Sequence, residues 1–329
     1  MQTILVLGGA GYIGSHTCLQ LIEAGHRVIV LDNFSNGHRD AVFADTLIEG
    51  DLLDADCLNS IFSDHKIDAV IHFAALIEAG VSMNEPLNFY KNNVTGTLNL
   101  LQMMIKHGVS KLVFSSTAAV YGEPEYIPID ENHPKAAINP YGQTKWAAEC
   151  MMRDCAVAYG LNTIALRYFN AAGCDPDGRT GERHDPETHL IPLVMQAANG
   201  TRDAIKIFGT DYETADGTCI RDYIHVSDLA DAHIKALDYL SANFNGEGFY
   251  DACNLGNGNG YSVREVIDAV AKVTGKFFTV IEEARRLGDP ASLIADSKKA
   301  KNMLGWQPKH ASLDDMVAHA WAYGQQIKN

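Results

Sequence analysis

Short apolar runs alternate with helix-periodic segments along the first half of the chain. Thr3–Leu7 is a continuous apolar run rich in β-branched residues, a pattern typical of a strand buried on both faces. Helical spacing through Ile13, Leu19 and Leu21 follows this run and stops near Gly25, which suits a helix C-cap. The chain therefore opens with a strand, a turn and a helix.

The same alternation continues to about residue 170. Apolar runs predict further strands over 27–31, 47–49, 68–73, 111–114 and 163–167. Helical periodicity predicts helices over 55–62, 84–106 and 140–159. Strands that alternate with helices at this spacing form a parallel sheet with right-handed crossovers. We therefore predict an α/β fold with a doubly wound, Rossmann-like parallel sheet.

The regular alternation stops near residue 170. Residues 173–189 are rich in Gly, Asp, Pro and charged side chains, and we predict a loop there. Shorter helices over 190–199, 226–240, 263–274 and 313–327, with short strands between them, predict a smaller C-terminal α/β domain. The predicted domains are 1–170, with a return contribution around 221–240, and 171–329.

Composition narrows the possible functions. The 329 residues are 47% hydrophobic and carry a net charge of −15, which argues against nucleic-acid or anionic-membrane partners. The seven cysteines are scattered without a C-x-x-C pair, so neither a disulfide framework nor a zinc ribbon is indicated. The first strand begins at once, and no apolar run approaches the ~18 residues that a membrane span needs. We expect a cytoplasmic location.

A glycine-rich turn joins the first predicted strand to the first helix. Gly8, Gly11 and Gly14 fit G-x-x-G-x-x-G, and Gly9, Gly11 and Gly14 fit G-x-G-x-x-G. Such glycines allow a tight turn and the close approach of a pyrophosphate, which the following helix N-terminus attracts. A tight turn alone is the other interpretation, but the position between a strand and a helix favours dinucleotide binding.

Two carboxylates follow later strands of the same predicted sheet. Asp32 ends the second strand, where a carboxylate suits the adenosine ribose of a dinucleotide and would repel a 2′-phosphate. NAD is therefore favoured over NADP, although Asp32 could also be an N-cap. Asp51, after the third strand, fits an adenine contact and a turn residue equally well.

A tyrosine, a lysine and a threonine form a second candidate group. Asn139 is a predicted N-cap, and Tyr141 and Lys145 are spaced i, i+4 on the helix that follows. A free phenol titrates near ~10, and we expect the adjacent ammonium and the helix N-terminus to lower that pKa. Thr117 places a hydroxyl at the carboxyl edge of the sheet. A surface helix pair is the alternative, which the upstream glycine turn makes unlikely.

Taken together, these residues resemble the extended short-chain dehydrogenase/reductase family, and within it the epimerases that act on UDP-sugars at C4. The resemblance extends along nearly the whole chain. The matching stretches are residues 8–15, 72–75, 92–94, 115–122, 139–145, 167–171, 189–192, 221–226 and 288–289.

The resemblance implies a tightly held NAD that is reduced and reoxidised within each turnover, interconverting UDP-galactose and UDP-glucose through a 4-keto sugar. Tyr141 would remove the proton of the 4-hydroxyl, Thr117 would polarise the 4-oxygen, and Lys145 would hold the nicotinamide ribose. The first domain would bind NAD and the second the UDP-sugar. The implied cofactor contacts are Gly8, Gly11, Tyr12, Ile13, Gly14, Asp32, Asn33, Asp51, Leu52, Phe73, Ala74, Ala75, Asn92, Ser115, Tyr141, Lys145 and Tyr168.

The resemblance also implies the substrate contacts and a homodimer. The substrate contacts are Thr117, Tyr141, Asn170, His189, Leu190, Lys206, Phe208, Arg221, Arg286, Asp289 and Leu293. Two arginines suit a diphosphate, although Arg286 beside Arg285 could be a solvated basic pair. The two long helices would form the dimer seam through Leu98, Leu101, Met104, Met151 and Met152, unless these are buried within one subunit.

The chain departs from the family pattern in a few places. Ile77 stands where some members have a lysine, and His189 where others have asparagine. Leu293 replaces a tyrosine found in members restricted to glucose and galactose, so we expect UDP-N-acetylglucosamine and its galacto epimer to be turned over as well. His184 and His189 have no evident third ligand, so no metal is expected.

Three rival functions remain. A nucleotide-sugar 4,6-dehydratase usually has an Asp-Glu pair directly after the threonine, and Ala118-Ala119 stand there instead. An epimerase of UDP-glucuronate or a UDP-pentose is poorly distinguished by sequence. A non-catalytic NAD-sensing regulator would lose the tyrosine or the lysine, and both are present.

Overall fold

Fourteen strands form four sheets in the computed structural model, which describes residues 1–243, 247–286 and 289–327. Gly288, which belongs to one stretch that carries the resemblance, lies outside the described residues. The strands are β1 (Thr3–Leu7), β2 (Arg27–Asp32), β3 (Thr46–Glu49), β4 (Ala69–His72), β5 (Lys111–Thr117), β6 (Asn162–Tyr168), β7 (Asn170–Ala172), β8 (Ala204–Phe208), β9 (Ile220–Arg221), β10 (Tyr223–His225), β11 (Phe249–Leu255), β12 (Tyr261–Ser262), β13 (Thr279–Glu283) and β14 (Ser292–Leu293).

Helices connect these strands. The α-helices are α1 (Tyr12–Glu23), α2 (Ala55–Asp64), α3 (Ala79–Ser82), α4 (Pro86–Phe89), α5 (Gly96–Lys106), α6 (Pro140–Tyr159), α7 (Leu190–Ala198), α8 (Val226–Asn243), α9 (Val263–Thr274), α10 (Lys298–Leu304) and α11 (Leu313–Gln326). Among the described residues, none of these helices combines the length and apolarity that crossing a bilayer requires.

Seven parallel strands form the main sheet in the order β11-β6-β5-β4-β1-β2-β3. Ile4 and Val6 of β1 pack into a core with α1 and α8, whereas Leu5 and Leu7 pack into a second core with α2, α5 and α6. Alternate side chains thus face opposite layers, which explains why the strand is apolar throughout. The predicted doubly wound α/β fold is confirmed.

The edge of this sheet comes from the later part of the chain. Strand β11 pairs in parallel with β6, and α8 packs against α1. The main sheet therefore extends past the predicted division near residue 170, because β11 covers an edge of β6 whose hydrogen-bonding groups would otherwise be unpaired. A third core, among α7, α9, α11 and β8, holds the C-terminal region together.

The predicted helix over 84–106 is one continuous but irregular segment. Helices α4 and α5 flank a π-helical turn over Tyr90–Thr95. The predicted dimer seam is partly wrong, since Leu101, Met104 and Met152 lie fully inside the core of one subunit. Leu98 is 42% exposed and remains available at the surface. All seven cysteines are free thiols.

Candidate active site

A cavity of about 310 Å³ lies at the carboxyl ends of the central parallel strands. Strands β1, β2, β4, β5 and β6 all end at its wall, which is where parallel sheets of this type bind ligands. Every predicted cofactor contact lines this cavity, as do Thr117, Asn170 and His189 from the predicted substrate set. Lining residues that the sequence did not single out include Ser35, Asn36, Gly37, His38, Glu182 and Arg183.

The glycine turn after β1 forms a backbone cradle at one end of the cavity. A Cβ on Gly14 would lie 2.1 Å from the carbonyl oxygen of Gly8, and one on Gly8 would lie 2.7 Å from the amide nitrogen of Ala74. Gly8 also has φ of +80°, which favours glycine. Helix α1 follows without a side-chain cap, so its first N–H groups can receive a phosphate.

The carboxylate of Asp32 lies at the other end of the cradle. It accepts hydrogen bonds from the backbone N–H groups of Ala10 and Phe34, at 2.9 and 2.8 Å. Each oxygen keeps a second lone pair, so the carboxylate can still accept bonds from ribose hydroxyls. A Cβ on Gly37 would lie 3.0 Å from Asp32 Oδ1, which keeps the approach to this carboxylate narrow.

Asp51 is a turn residue that also lines the cavity. Its Oδ1 accepts from the backbone N–H of Leu53, as expected of a turn residue, and its Oδ2 accepts from the Asn33 amide at 2.9 Å. Asn33 and Asp51 both line the cavity. The pair joins the segments that follow β2 and β3 at one cavity wall.

Thr117, Tyr141 and Lys145 all line the cavity, and the Thr117 side chain forms a hydrogen bond with that of Tyr141. Burial raises the pKa of Tyr141 to about 12, and the side chain of Thr117 opposes this rise. Burial also lowers the pKa of Lys145 to about 7, while the charge of Glu149 acts in the opposite direction. The expectation that the phenol pKa would be lowered is therefore wrong, because desolvation of the phenolate outweighs the hydrogen bond with Thr117.

Backbone contacts fix these side chains in place. The ammonium of Lys145 donates to the carbonyl oxygen of Ser115 at 2.9 Å, and the hydroxyl of Thr117 accepts from Ala119 N–H at 3.1 Å. Asn139 caps α6 by accepting from Gly142 N–H at 2.8 Å, as predicted. Helix α6 and the end of β5 thus present the reactive groups from rigid elements.

A buried ion pair supports α6 and β5 behind the cavity. Glu149 is fully buried and pairs with Arg167, which is 3% exposed, at 2.5 Å. The Glu149 carboxylate also accepts from the hydroxyls of Ser116 and Tyr250, at 2.5 and 2.6 Å. Sequence patterns gave no indication of this network, because Arg167 and Tyr250 lie on strands that only the fold brings beside α6.

The loop over 173–189 forms the outer wall of the cavity. Tyr12 donates its hydroxyl to the carbonyl oxygen of Gly173 at 2.6 Å. Arg183 forms two bonds to the Asp40 carboxylate, at 2.9 and 2.7 Å, and its carbonyl oxygen lies 2.8 Å from Nε2 of His38. The loop is therefore fastened to the chain on both sides of the cavity.

Two histidines of this loop lie among carboxylates. Burial opposes protonation, but the carboxylates of Glu182 and Glu187 outweigh it and raise the pKa of His184 to about 9 and that of His189 to about 10. Glu182, His184 and His189 line the cavity. His189 also immediately precedes α7.

The remaining predicted substrate contacts lie apart from the cavity. Arg221 donates to the carbonyl oxygen of Pro290 at 2.9 Å and to Asp289 at 3.3 Å, and the guanidinium of Arg286 lies 3.7 Å above the ring of Phe208. The other members of the set are Lys206, which pairs with Glu283 at 2.9 Å, and Leu190, the first residue of α7.

Asn170 links this second group to the cavity. It lines the cavity and donates its amide to the carbonyl oxygen of Asp222, the residue after Arg221, at 2.9 Å. Leu293 pairs with Arg221 in the register of β14 with β9, and packs on the apolar cluster around Tyr121 with Phe169. Asn170 therefore lies between the cavity and the segment that carries Arg221.

Comparison with known proteins agrees with this geometry. The chain belongs to the NAD dependent epimerase/dehydratase family, whose model matches residues 4–256. Its relatives within that family include the UDP-glucose 4-epimerase of Halalkalibacterium halodurans, which is 54% identical over 325 residues, 99% of this chain and 96% of the relative.

Solved structures give the same picture. UDP-glucose 4-epimerase from Brucella ovis, crystallised in complex with NAD, is 46% identical with a TM-score of 0.95, and the match covers 98% of each chain. The UDP-Glc/GlcNAc 4-epimerase from Campylobacter jejuni is 44% identical with a TM-score of 0.87, covering 99% of this chain and 100% of the other. The family confirms NAD as the cofactor that the glycine turn and Asp32 predicted.

Proposed function

We propose that this enzyme interconverts UDP-galactose and UDP-glucose by epimerisation at C4, using an NAD that it retains through the turnover. The observation that carries the proposal is that Tyr141, Thr117 and Lys145 line the same cavity as the glycine turn. The backbone cradle of Gly8 and Gly14 fits a pyrophosphate, because any side chain there would collide with backbone atoms. Asp32 then suits the adenosine ribose.

The residues of the cavity supply the acid–base chemistry. When bound, NAD supplies a hydride acceptor at C4 and a positive charge near the phenol, and in its reduced form it returns the hydride. Tyr141 Oη takes the proton of the 4-hydroxyl as the C4 hydrogen leaves, so that C4 becomes a ketone. Thr117 donates to the 4-oxygen. Return of the hydride to C4 on the other face of the sugar, with return of the proton from Tyr141 Oη to the 4-oxygen, completes the epimerisation.

Retention of the cofactor follows from the outer wall of the cavity. The bonds from Tyr12 to Gly173 and from Arg183 to Asp40 hold the 173–189 loop across the site. A dinucleotide beneath this loop can leave only if the loop opens. Because reduction and reoxidation balance within one turnover, the enzyme gains nothing from exchanging NAD with solvent.

Incubation of the purified protein with UDP-galactose, without added NAD, tests this proposal. We expect UDP-glucose to accumulate until the two sugars reach equilibrium, as followed by anion-exchange chromatography. Tyr159→Phe serves as the matched control, since Tyr159 is 64% exposed on the far end of α6 and should leave the rate unchanged. Absence of UDP-glucose from a preparation that holds NAD would refute the proposal.

The UDP portion of the substrate is assigned to the second group of residues. Arg221 and Arg286 supply two guanidinium groups for two phosphates, and Asn170 joins them to the reacting end of the cavity. Asp289 already pairs with Arg221, so the diphosphate would compete for that guanidinium. Arg221→Lys should raise KM for the UDP-sugar, because a lysine cannot bind two phosphate oxygens in the same plane.

Leu293 favours a wider range of sugars. It packs against the buried cluster around Tyr121, as do Phe169, which lines the cavity, and Ala118, the residue after Thr117. A leucine leaves more room than a tyrosine, so UDP-N-acetylglucosamine and its galacto epimer should also be substrates. Leu293→Tyr should lower kcat/KM for the N-acetylated pair more than for UDP-galactose. If the wild-type enzyme does not turn over the N-acetylated UDP-sugars, the proposed wider substrate range is refuted. UDP-glucuronate and a UDP-pentose, run in parallel, test the remaining alternative.

We further infer a homodimer and keep a cytoplasmic location as a prediction. Support for a dimer comes from apolar side chains exposed on adjoining helices, with Leu87 at 82%, Leu98 at 42% and Val157 at 89% exposure. They lie on α4, α5 and α6, and α6 contacts both of the other helices. Analytical ultracentrifugation should give a dimer for the wild type and a monomer for the double variant Leu87→Lys, Val157→Lys. A wild-type monomer at micromolar concentration would contradict the inference.

A further inference from the structure

Four side chains of the 173–189 loop bring metal-binding atoms together beside the cofactor cavity. Glu182, His184, Glu187 and His189 each offer one ligand atom, and these atoms all lie within 4.8 Å of one another. From the sequence, only the two histidines were candidates, and no metal was expected. Glu182 and Glu187 lie beside the two histidines because the loop folds back on itself before α7. The hydrophobic periodicity of the sequence does not predict such a turn.

The distances between the ligand atoms suit a single small cation. Glu182 Oε1 lies 3.2 Å from Nδ1 of His184 and 2.8 Å from Nδ1 of His189. Glu187 places Oε1 3.2 Å from His189 Nδ1 and Oε2 3.8 Å from His184 Nδ1. Ligands of a tetrahedral zinc ion, with bonds of about 2.0–2.1 Å, lie about 3.3 Å apart. The separations of Glu182 Oε1 from the two imidazole nitrogens lie near that value, and all four ligand atoms lie within 4.8 Å of one another.

Two atoms of the cluster are buried without a hydrogen-bond partner. Oε1 of Glu182 and Nδ1 of His184 make no hydrogen bond of acceptable geometry to any described residue. The Glu182 side chain is 5% exposed, so water cannot readily satisfy it. A buried carboxylate oxygen that faces imidazole nitrogens at poor hydrogen-bonding angles is better explained by a shared cation.

Glu187 is also placed to serve as a ligand. Its side chain is 7% exposed, and the rings of the two histidines have centroids 5.0 Å apart. The backbone N–H groups of Thr188 and His189 meanwhile fix Glu187 Oε1, which leaves Oε2 for a metal.

We propose that Glu182, His184, Glu187 and His189 bind one divalent transition-metal ion, with zinc as the best match to two imidazole and two carboxylate ligands. The set of donors excludes a preference for Ca²⁺ or Mg²⁺, which take oxygen ligands in larger number. All four positions are filled by side chains, so the ion is structural rather than catalytic. It takes no part in the epimerisation.

The position of the site indicates what the ion does. His189 immediately precedes α7, while Glu182 and His184 line the cavity. The ring of His184 also packs edge-on against the ring of Tyr12, with 6.1 Å between the centroids. An ion here joins the outer wall of the cavity to the beginning of α7. Its removal should loosen the 173–189 loop and increase the rate at which NAD leaves.

Metal titration of the whole protein tests the proposal without reference to activity. The protein is treated with a chelator, dialysed and titrated with ZnCl₂ by calorimetry, and in parallel with CoCl₂ while visible absorption is recorded. We expect one equivalent of either ion, tetrahedral cobalt bands, a rise in melting temperature with zinc, and no comparable response to MgCl₂. Wild-type protein alone suffices for this arm, so the result does not depend on the folding of a variant.

Variants locate the ion. Glu182→Gln and His184→Gln should weaken zinc binding at least about a hundredfold, since a lost ligand costs more than a lost outer-shell partner. His319→Gln is the control, because His225, His310 and His319 form a separate histidine cluster in which His225 Nε2 lies 3.0 Å from His319 Nδ1. Its zinc stoichiometry and affinity should match those of the wild type.

Two results would overturn the proposal. If chelated wild-type protein takes up neither zinc nor cobalt, the four side chains form only an ion-pair cluster. If His319→Gln abolishes uptake while Glu182→Gln leaves it intact, the ion sits at the other histidine cluster. The release of NAD, followed by fluorescence of the free cofactor after enzymatic reduction, should be faster after chelation, and an unchanged rate would refute the role assigned to the ion.

Discussion

Replacement of Glu149 by glutamine should destabilise the protein and disturb the candidate site together. The Glu149 carboxylate accepts bonds from three guanidinium and hydroxyl partners, Arg167, Ser116 and Tyr250, at 2.5–2.6 Å. Glutamine keeps one acceptor oxygen but replaces the other with an NH₂ group, and the guanidinium of Arg167 cannot accept a bond from it. Arg167, 3% exposed, is then a buried cation without its counter-ion.

The structure sets the size of the effect. Removal of one partner from a buried ion pair costs about 3–5 kcal/mol, because the remaining charge stays desolvated. The exposed pair of Arg39 and Glu49, at 2.6 Å with side chains 62% and 58% exposed, is the matched comparison. Glu49→Gln should cost at most about 1 kcal/mol. The charge of Glu149 also supports the ammonium of Lys145, so its loss should lower the Lys145 pKa further.

Denaturant unfolding followed by circular dichroism measures both variants. We expect the midpoint of Glu149→Gln to fall well below that of Glu49→Gln, and the double variant Glu149→Gln, Arg167→Met to recover part of the loss because the unpaired cation is gone. Turnover of UDP-galactose by Glu149→Gln should fall at neutral pH and improve at lower pH, where Lys145 regains its proton. Equal midpoints for Glu149→Gln and Glu49→Gln would refute the reasoning.

Three further predictions follow from the cavity. Tyr141→Phe should keep its NAD, measured by absorbance of the denatured protein, and lose about 10²–10⁴-fold in kcat, since only the transferable proton is removed; a rate close to wild type would contradict its role. Gly14→Ala should fail to retain NAD, because its Cβ would lie 2.1 Å from Gly8 O, whereas Gly324→Ala, with no atom within 4 Å of its Cβ, should retain it. In protein freed of NAD, burial lowers the pKa of Lys145 to about 7. Between that pH and the ordinary pKa of lysine, Lys145 is protonated in the unfolded chain but not in the folded protein. The free energy of unfolding therefore rises with pH in this range. The rise amounts to at most about 1.4 kcal/mol per pH unit, and Lys145→Met should lack it when unfolding free energies are compared at pH 7 and 9. If the unfolding free energy of the two proteins changes equally with pH, Lys145 is not buried as described.

The parallel core was predictable because its strands are continuous apolar runs. Ile4 to Leu7 alternate between two buried layers, so every position of the strand must be apolar. The residues of the cavity were predictable for a related reason, since the carboxyl ends of neighbouring parallel strands meet at one edge and carry Gly8, Asp32 and Thr117 together. Local sequence therefore contains both the strands and the place where they end.

Features that depend on long-range folding were not predictable. Strand β11 reads like other short strands of the later chain, and only pairing with β6 places it in the main sheet. Leu101 and Met104 have helical spacing suited to a seam between subunits, yet they face the core of their own subunit. Glu182 and Glu187 lie in a loop without periodicity, so their approach to His184 and His189 depends on the folded path.

A deuterium label at C4 of UDP-galactose tests the central claim most directly. The hydride leaves C4 and returns to it within one turnover on a retained NAD, so the product UDP-glucose should keep the label at C4. UDP-galactose with deuterium at C4 is then mixed with UDP-galactose that carries ¹³C but no deuterium. Mass spectrometry should find no deuterium in the ¹³C-containing sugar, because the label does not pass between molecules. Loss of the label to water, or its appearance in the ¹³C-containing sugar, would contradict the account.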